Sequence, residues 1–213
     1  PARGRTVLAA LALLLLLAGC APGAPSARLD PSVTAPVTIA TVPPTVPARL
    51  HVVPYTVPPT ITGVYPARCA VRYTPEHRVL PDARCTPGSV SGAVSEATEE
   101  ATACRSGWTR TVRPSSSVTG RMKTRAMAAY GISPELRDRV EFDHLVPLQM
   151  GGSNDVSNLW PQPSDLPTGF ANTKDQVEGR LADAACADLV DLAAAQRAIA
   201  ADWTTAVARV GLR

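Results

Sequence analysis

Aromatic side chains are scarce in this sequence, at 4% of 213 residues. A core here has to be built mainly from Ala, Val and Leu, with three Trp residues as anchors. Lysine is nearly missing: Lys123 and Lys174 are the whole supply. Positive charge is short as well. The formal net charge is +3, and two of the 21 basic residues, Arg3 and Arg5, sit at the extreme N-terminus. Without that pair, 19 basic side chains face 18 acidic ones. This balance excludes a global basic footprint for nucleic acid, so any polyanion has to be met by a local patch. No Cys-x-x-Cys pair occurs, which argues against a zinc ribbon. The one unbroken apolar run, Val7 to Leu17, is too short for a stable bilayer-spanning helix.

That run fits a different purpose. Arg3 and Arg5 precede it as a positive n-region, and it ends in Leu17-Ala18-Gly19-Cys20. Small residues before a cysteine resemble the lipobox of bacterial lipoproteins. The resemblance implies a signal peptide over 1–19, cleavage before Cys20, and a diacylglycerol on its thiol. Two or three acyl chains give stable anchoring. The expected location is therefore extracytoplasmic, on the membrane, held by lipid. Four cysteines remain: Cys69, Cys85, Cys104 and Cys186. An even number in an exported chain favours disulfides, and four cysteines allow three pairings. Cys69–Cys85 and Cys104–Cys186 are favoured, the first closing a local loop and the second tying the start of the C-terminal domain to its helical end.

The length suggests one ordinary domain with extra segments. Residues 20–66 read as a linker rich in Pro, Thr and Val, in which Thr41-Val42-Pro43-Pro44-Thr45-Val46 nearly recurs as Thr56-Val57-Pro58-Pro59-Thr60-Ile61. Proline at this density favours extended polyproline II over helix or sheet. A disordered tail and a spacer lifting a domain off the membrane both fit. Residues 67–90 read as a disulfide-pinned loop, and 91–213 as the main domain. Within it, Ser95 to Cys104 predicts a short helix, Trp108 to Val112 a strand, Ser115 to Thr119 a turn, and Arg121 to Tyr130 a helix stopped by Gly131. Val140 to Leu148 is largely apolar, Gly151-Gly152 turns, Ser157 to Trp160 can form a second strand, and Pro161 to Phe170 reads as loop. Asn172 to Ala185 predicts a helix, and Leu189 to Val210 one long helix or two. His51 and His77 are expected at the surface.

The informative stretch runs from Asp143-His144-Leu145-Val146-Pro147 through Gly151-Gly152 to Asn158-Leu159-Trp160. Asp-His, an apolar residue and Pro, then Gly-Gly, then Asn-Leu resemble the signature of the HNH (ββα-metal) endonucleases. The likeness extends over roughly residues 85–212, towards an exported actinobacterial lipoprotein subfamily with HNH-like domains. It implies an α+β fold with a ββα-metal core, flanking helices and the disordered Pro-rich linker in front.

The chemistry can be reasoned from the residues. Phosphodiester hydrolysis needs a nucleophile and a cation near the scissile phosphate. His144 is the only histidine in the C-terminal half, so it takes the general-base role. Asp143 supplies a carboxylate for a hard cation. By the resemblance, Asn158 fixes the loop and orients the base, and Asn172 completes the metal site, although many relatives carry that ligand at the position of Ala171. Asp175 or Glu178, one turn along, could substitute. Lys174 either neutralises phosphate or pairs with Glu178 at i+4. Trp160 reads as a core anchor and Gln162 as a loop hydrogen-bonder. Arg110, Arg113, Arg121, Lys123 and Arg125 form either a DNA-facing patch or a solvated helix face.

The expectation is metal-dependent hydrolysis of DNA at the cell surface with one divalent cation, Mg²⁺ first and Mn²⁺, Zn²⁺ or Ni²⁺ as alternatives. DNA is the substrate and the membrane is reached through Cys20; the sequence points to no protein partner. The alternative is a non-catalytic HNH-fold surface lipoprotein serving as a binding or envelope module. The anchor is directly testable. Cys20→Ala is expected to leave an uncut precursor without lipid, read by metabolic labelling with a radioactive fatty acid. Unchanged processing and labelling would defeat the lipobox reading.

Overall fold

A computed structural model describes residues 49–165 and 171–213. Cys20, the signal peptide and the first part of the linker lie outside the described residues. The described residues fall in one compact unit, Val42–Arg213. The architecture is α+β, with small sheets and several helices. His51–Val53 (β1) pairs in parallel with Ser89–Ser91 (β4), and Arg72–Tyr73 (β2) pairs antiparallel with Val79–Leu80 (β3). The helices Trp108–Val112 (α1) and Ser116–Ala129 (α2) follow. Next comes an antiparallel hairpin, Val140–His144 (β5) with Leu159–Pro163 (β6). Lys174–Cys186 (α3), Leu192–Asp202 (α4) and Ala206–Arg209 (α5) complete the chain.

Several local expectations change. The C-terminal part of the expected linker, from residue 49 on, is part of the fold. Extended, Pro-flanked residues cannot make helix, but they can serve as an edge strand, as β1 does. Thr62 hydrogen-bonds Asp155, and the Tyr65 hydroxyl donates to the Leu159 carbonyl. The segment 67–90 contains the β2–β3 hairpin as well as its disulfide. Trp108 to Val112 is helix, not strand. Among the described residues no strand lies paired with it, and the chain enters it from Gly107 at φ 84°, so tertiary placement overrides β-propensity. Ser95 to Cys104 forms turns rather than a regular helix. Its hydroxyls compete for the backbone: Thr102 Oγ1 donates to the Thr98 carbonyl at 2.6 Å, and Thr98 Oγ1 donates to Ala93. Ser116 to Thr119, expected as turn, begins α2 after Pro114.

β6 runs on through Pro161 and Pro163, which the sequence suggested as loop. In register with Phe142 and Val140, they alternate along the strand. That places both proline nitrogens, which lack a proton, on the edge facing away from β5.

Two apolar clusters meet at the residues after β5. Leu145 packs with Trp160, Tyr130, Val79 and the Cys69–Cys85 pair. Its neighbour Val146 packs with Met150, Leu181, Ile199 and Trp203. Consecutive residues thus pin the chain from two sides. Polar bonds reinforce the packing: Gln196 Nε2 donates to the Met150 carbonyl, and Trp203 Nε1 to the Val79 carbonyl, both at 2.7 Å.

Both favoured disulfides are present, Cys69–Cys85 across 16 residues and Cys104–Cys186 across 82. They suggest an oxidising, extracytoplasmic environment. Among the described residues no helix is long and apolar enough to cross a membrane. Loop-closure entropy predicts unequal contributions, about 3 kcal/mol for the short loop and about 4.5 kcal/mol for the long one. Urea unfolding of the Cys69→Ser/Cys85→Ser and Cys104→Ser/Cys186→Ser proteins is expected to show the second losing more. The reverse order would mean that native-state packing, not chain entropy, sets the contribution.

Candidate active site

The end of β5 carries Asp143 and His144, and strand alternation sends consecutive side chains to opposite faces. The pairing continues regularly through Asp143 with Trp160 and His144 with Leu159. The two side chains accordingly find separate partners. Asp143 Oδ2 accepts from Trp160 Nε1 at 3.0 Å and from the Lys174 ammonium at 2.9 Å. His144 Nε2 lies 2.9 Å from Asn154 Oδ1.

The loop between the strands is held by Asn158, which is fully buried. Its Oδ1 accepts from Val146 N, and its Nδ2 donates to the carbonyls of Val146 and Ser153. The preceding Gly-Gly pair is a requirement of this closure. Gly151 adopts φ 73°, and a Cβ on Gly152 would lie 1.7 Å from the Val146 carbonyl oxygen. Asn158 therefore performs the loop-fixing part of its expected role. Its side chain does not hold the imidazole; Asn154 does. Asn154 Nδ2 donates to the Val112 carbonyl at 2.8 Å, which fixes the amide so that Oδ1 faces the ring. Nε2 is then the protonated nitrogen, and Nδ1 keeps its lone pair. Burial pushes the imidazole down to about 4, ahead of the opposing effects of Asn154 and Asp143. His144 is neutral at neutral pH and in one tautomer, the form a general base requires.

Asn154 was hidden in the sequence because Gly-Gly-Ser-Asn-Asp reads as turn chemistry. Its role depends on the carbonyl at the end of α1. Glu141 was also missed, although it had a signal: it stands two residues before Asp143 and shares its face. Glu141 Oε2 accepts from Asn172 Nδ2 at 2.9 Å, and burial raises the pKa of this carboxyl.

Two cavities share His144, Phe142 and Arg113 in their walls. One, about 280 Å³, is lined by Glu141, Asp143, Asp175 and Glu178. The other, about 270 Å³, is lined by Lys123, Asn154 and Thr119. Of the five basic residues before the motif, Arg113 and Lys123 face this second cavity. Arg125 lines a different one with Tyr65 and Arg68. The basic patch thus divides between two places.

The fit of a divalent cation can be judged from lone pairs. Asn172 Oδ1 accepts from Gln162 Nε2 at 2.6 Å and from the Lys174 backbone N–H at 2.9 Å, so both of its lone pairs are taken. Asp143 Oδ2 is likewise saturated by two donors. The Lys174 side chain, 0% exposed, also donates to the His144 carbonyl at 2.8 Å and to Glu178. Of the two readings of Lys174, pairing with Glu178 is the one seen. A second cation on Asp143 would meet this ammonium, with repulsion of about 4 kcal/mol per unit charge at ~4 Å. Among the described residues no group of three or more His, Cys, Asp or Glu side chains is placed to hold a metal. As arranged, Asn172 does not fit as a cation ligand, and Asp143 is left with Oδ1 alone, beside the Lys174 ammonium. Asp175 and Glu178 both line the acidic cavity, but Glu178 is committed to Lys174.

No protein-family model matches this chain, and no curated protein or solved structure matches it.

The buried imidazole gives a pH signature. Unfolded, His144 takes up a proton near its ordinary 6.5; folded, it does so only near 4. Between those values the unfolded state binds more protons, so stability falls as pH falls, by about 3 kcal/mol over the window. Glu178, raised by burial to about 7, acts oppositely between 4.5 and 7, where stability falls as pH rises. The difference between wild type and His144→Gln isolates the imidazole. Urea unfolding from pH 7 to 4 is expected to show a smaller acid loss in the variant. Equal losses would place the imidazole in water.

Proposed function

We propose that β5, β6 and α3 form a hairpin–helix core of the HNH type, and that this protein hydrolyses phosphodiester bonds of DNA at the cell surface, held to the membrane by lipid at Cys20. The observation that carries the proposal is His144: buried, neutral, fixed in one tautomer by Asn154, and placed between two cavities with Arg113 at their shared wall.

The cavity with Arg113 and Lys123 is the one suited to the phosphate. Arginine presents paired N–H donors to phosphate oxygens, and both cations offset the charge that builds in the transition state. Nδ1 of His144 takes a proton from a water molecule as the water oxygen bonds to phosphorus. The bond from phosphorus to the leaving oxygen breaks, and that oxygen is protonated by solvent. By the HNH resemblance the products are a 5′-phosphate and a 3′-hydroxyl. Asn158 keeps the loop closed behind His144, and Asn154 holds the ring. The divalent cation that the resemblance implies takes no part in these steps, because the Asn172 oxygen and Asp143 Oδ2 are engaged elsewhere.

That engagement also favours the second reading, a surface lipoprotein that retains the fold as a non-catalytic binding or envelope module. A plasmid-nicking assay separates the two. With the detergent-solubilised full chain, His144→Ala is expected to lower cleavage about 10²–10⁴-fold while the unfolding transition stays cooperative. Arg113→Ala is expected to lower kcat as well as raise KM, because the guanidinium serves both the bound phosphate and the transition state. A folded wild-type chain that cleaves neither DNA nor RNA, with or without Mg²⁺ or Mn²⁺, would leave the binding module as the function.

A further inference from the structure

An ammonium group fully removed from solvent is costly unless every proton finds an acceptor. Lys174 meets that condition. Its three N–H groups go to Asp143 Oδ2 at 2.9 Å, to the His144 carbonyl at 2.8 Å and to Glu178 Oε1. No N–H remains for a substrate phosphate, so Lys174 is not a phosphate contact. The three acceptors are hard oxygens converging on one point, two carboxylates and a carbonyl, which is the ligand chemistry of Mg²⁺, Ca²⁺ or Mn²⁺. The carboxylates come from the strand and helix of the hairpin–helix core, next to the general base.

We propose that the Lys174 ammonium is a built-in replacement for the divalent cation: it fills an oxygen cage formed by Asp143, Glu178 and the His144 carbonyl, so the wild-type chain takes no divalent cation there, and loss of the ammonium opens a site for one. The proposal rests on the hairpin–helix reading for the expectation of a cation, and on the three contacts of Lys174 for the cage. When both carboxylates are ionised, the single positive charge between them leaves one negative charge over. A divalent cation in the same cage would leave none, so the emptied cage has a charge reason to bind one. The arrangement also accounts for the position of the lysine at the first turn of α3. From there a four-carbon stem reaches back to the end of β5 and locks helix to strand without a metal.

The test is metal binding, read apart from activity. On the detergent-solubilised full chain, Mn²⁺ binding is followed by electron paramagnetic resonance and thermal unfolding is recorded with Mg²⁺, Ca²⁺ and Mn²⁺. Wild type is expected to bind no Mn²⁺ at this site and to keep its Tm. Lys174→Ala is expected to unfold at lower temperature and to regain ~5–10 °C at a hundredfold excess of Mn²⁺ over Kd. Lys174→Met, which refills the space with an apolar chain, is expected to be destabilised without any such gain. Mn²⁺ binding by wild type that Asp143→Asn abolishes would overturn the proposal. So would a folded Lys174→Ala protein indifferent to all three cations. If Lys174→Ala does not fold alone, its refolding yield with and without Mn²⁺ becomes the readout, and no gain with Mn²⁺ counts against the proposal. Failure of DNA cleavage with these metal results intact would count against the nuclease reading alone.

Discussion

The rest of the site depends on one buried charge. Lys174 is fully enclosed, yet it remains an ammonium: burial alone would lower its pKa, but Asp143 and Glu178 hold it above its ordinary value. Burying a paired charge contributes little net stability, whereas removing one partner from such a pair typically costs about 3–5 kcal/mol. The first turn of α3 docks on the end of β5 in the register that brings Nζ to Asp143, Glu178 and the His144 carbonyl. Glu178 bears part of the cost, since its burial raises its own pKa to about 7.

That docking determines what the two neighbouring residues of the motif can do. Asp143 is turned to α3 and neutralised there. His144 is turned the other way and held by Asn154, whose orientation is set by the Val112 carbonyl. The acid and the base of the motif are thus separated by the alternation of a regular strand, and each is stabilised by a different layer of the fold. The electrostatics follow the same division. Glu141, Asp143, Asp175 and Glu178 gather in one cavity, while Lys123 stands in the other and Arg113 in the wall of both. A nearly neutral chain in this way presents a local cationic surface beside its histidine, which net charge alone would conceal.

Much of the local structure was legible in the residues. The helical spacing of Met122, Ala126 and Met127 located the buried face of α2, although the helix begins five residues earlier than the pattern suggested. Gly151-Gly152 predicts a turn, and the close approach of Gly152 to the Val146 carbonyl explains why no larger residue stands there. The favoured disulfide pairing could be chosen because one pair closes a short loop and the other joins distant ends. The errors have a common cause. Trp108 to Val112 has the composition of a strand and Ser95 to Cys104 that of a helix, but propensity is worth less per residue than the packing and side-chain hydrogen bonds that decide such short segments.

The sequence by itself determined the chemistry available: one histidine in the C-terminal half beside one aspartate, a loop-closing asparagine, four cysteines for two staples, and almost no lysine. These depend on residue identity and spacing, which are local. Only the tertiary structure decided how that chemistry is deployed. That Asn172 spends its oxygen on Gln162 and on the first turn of α3, that Asn154 rather than Asn158 holds the imidazole, and that Lys174 fills the cage beside Asp143 all depend on which elements meet. A lone pair or an N–H can be used only a limited number of times, and which partner claims it is settled by atoms distant in the chain.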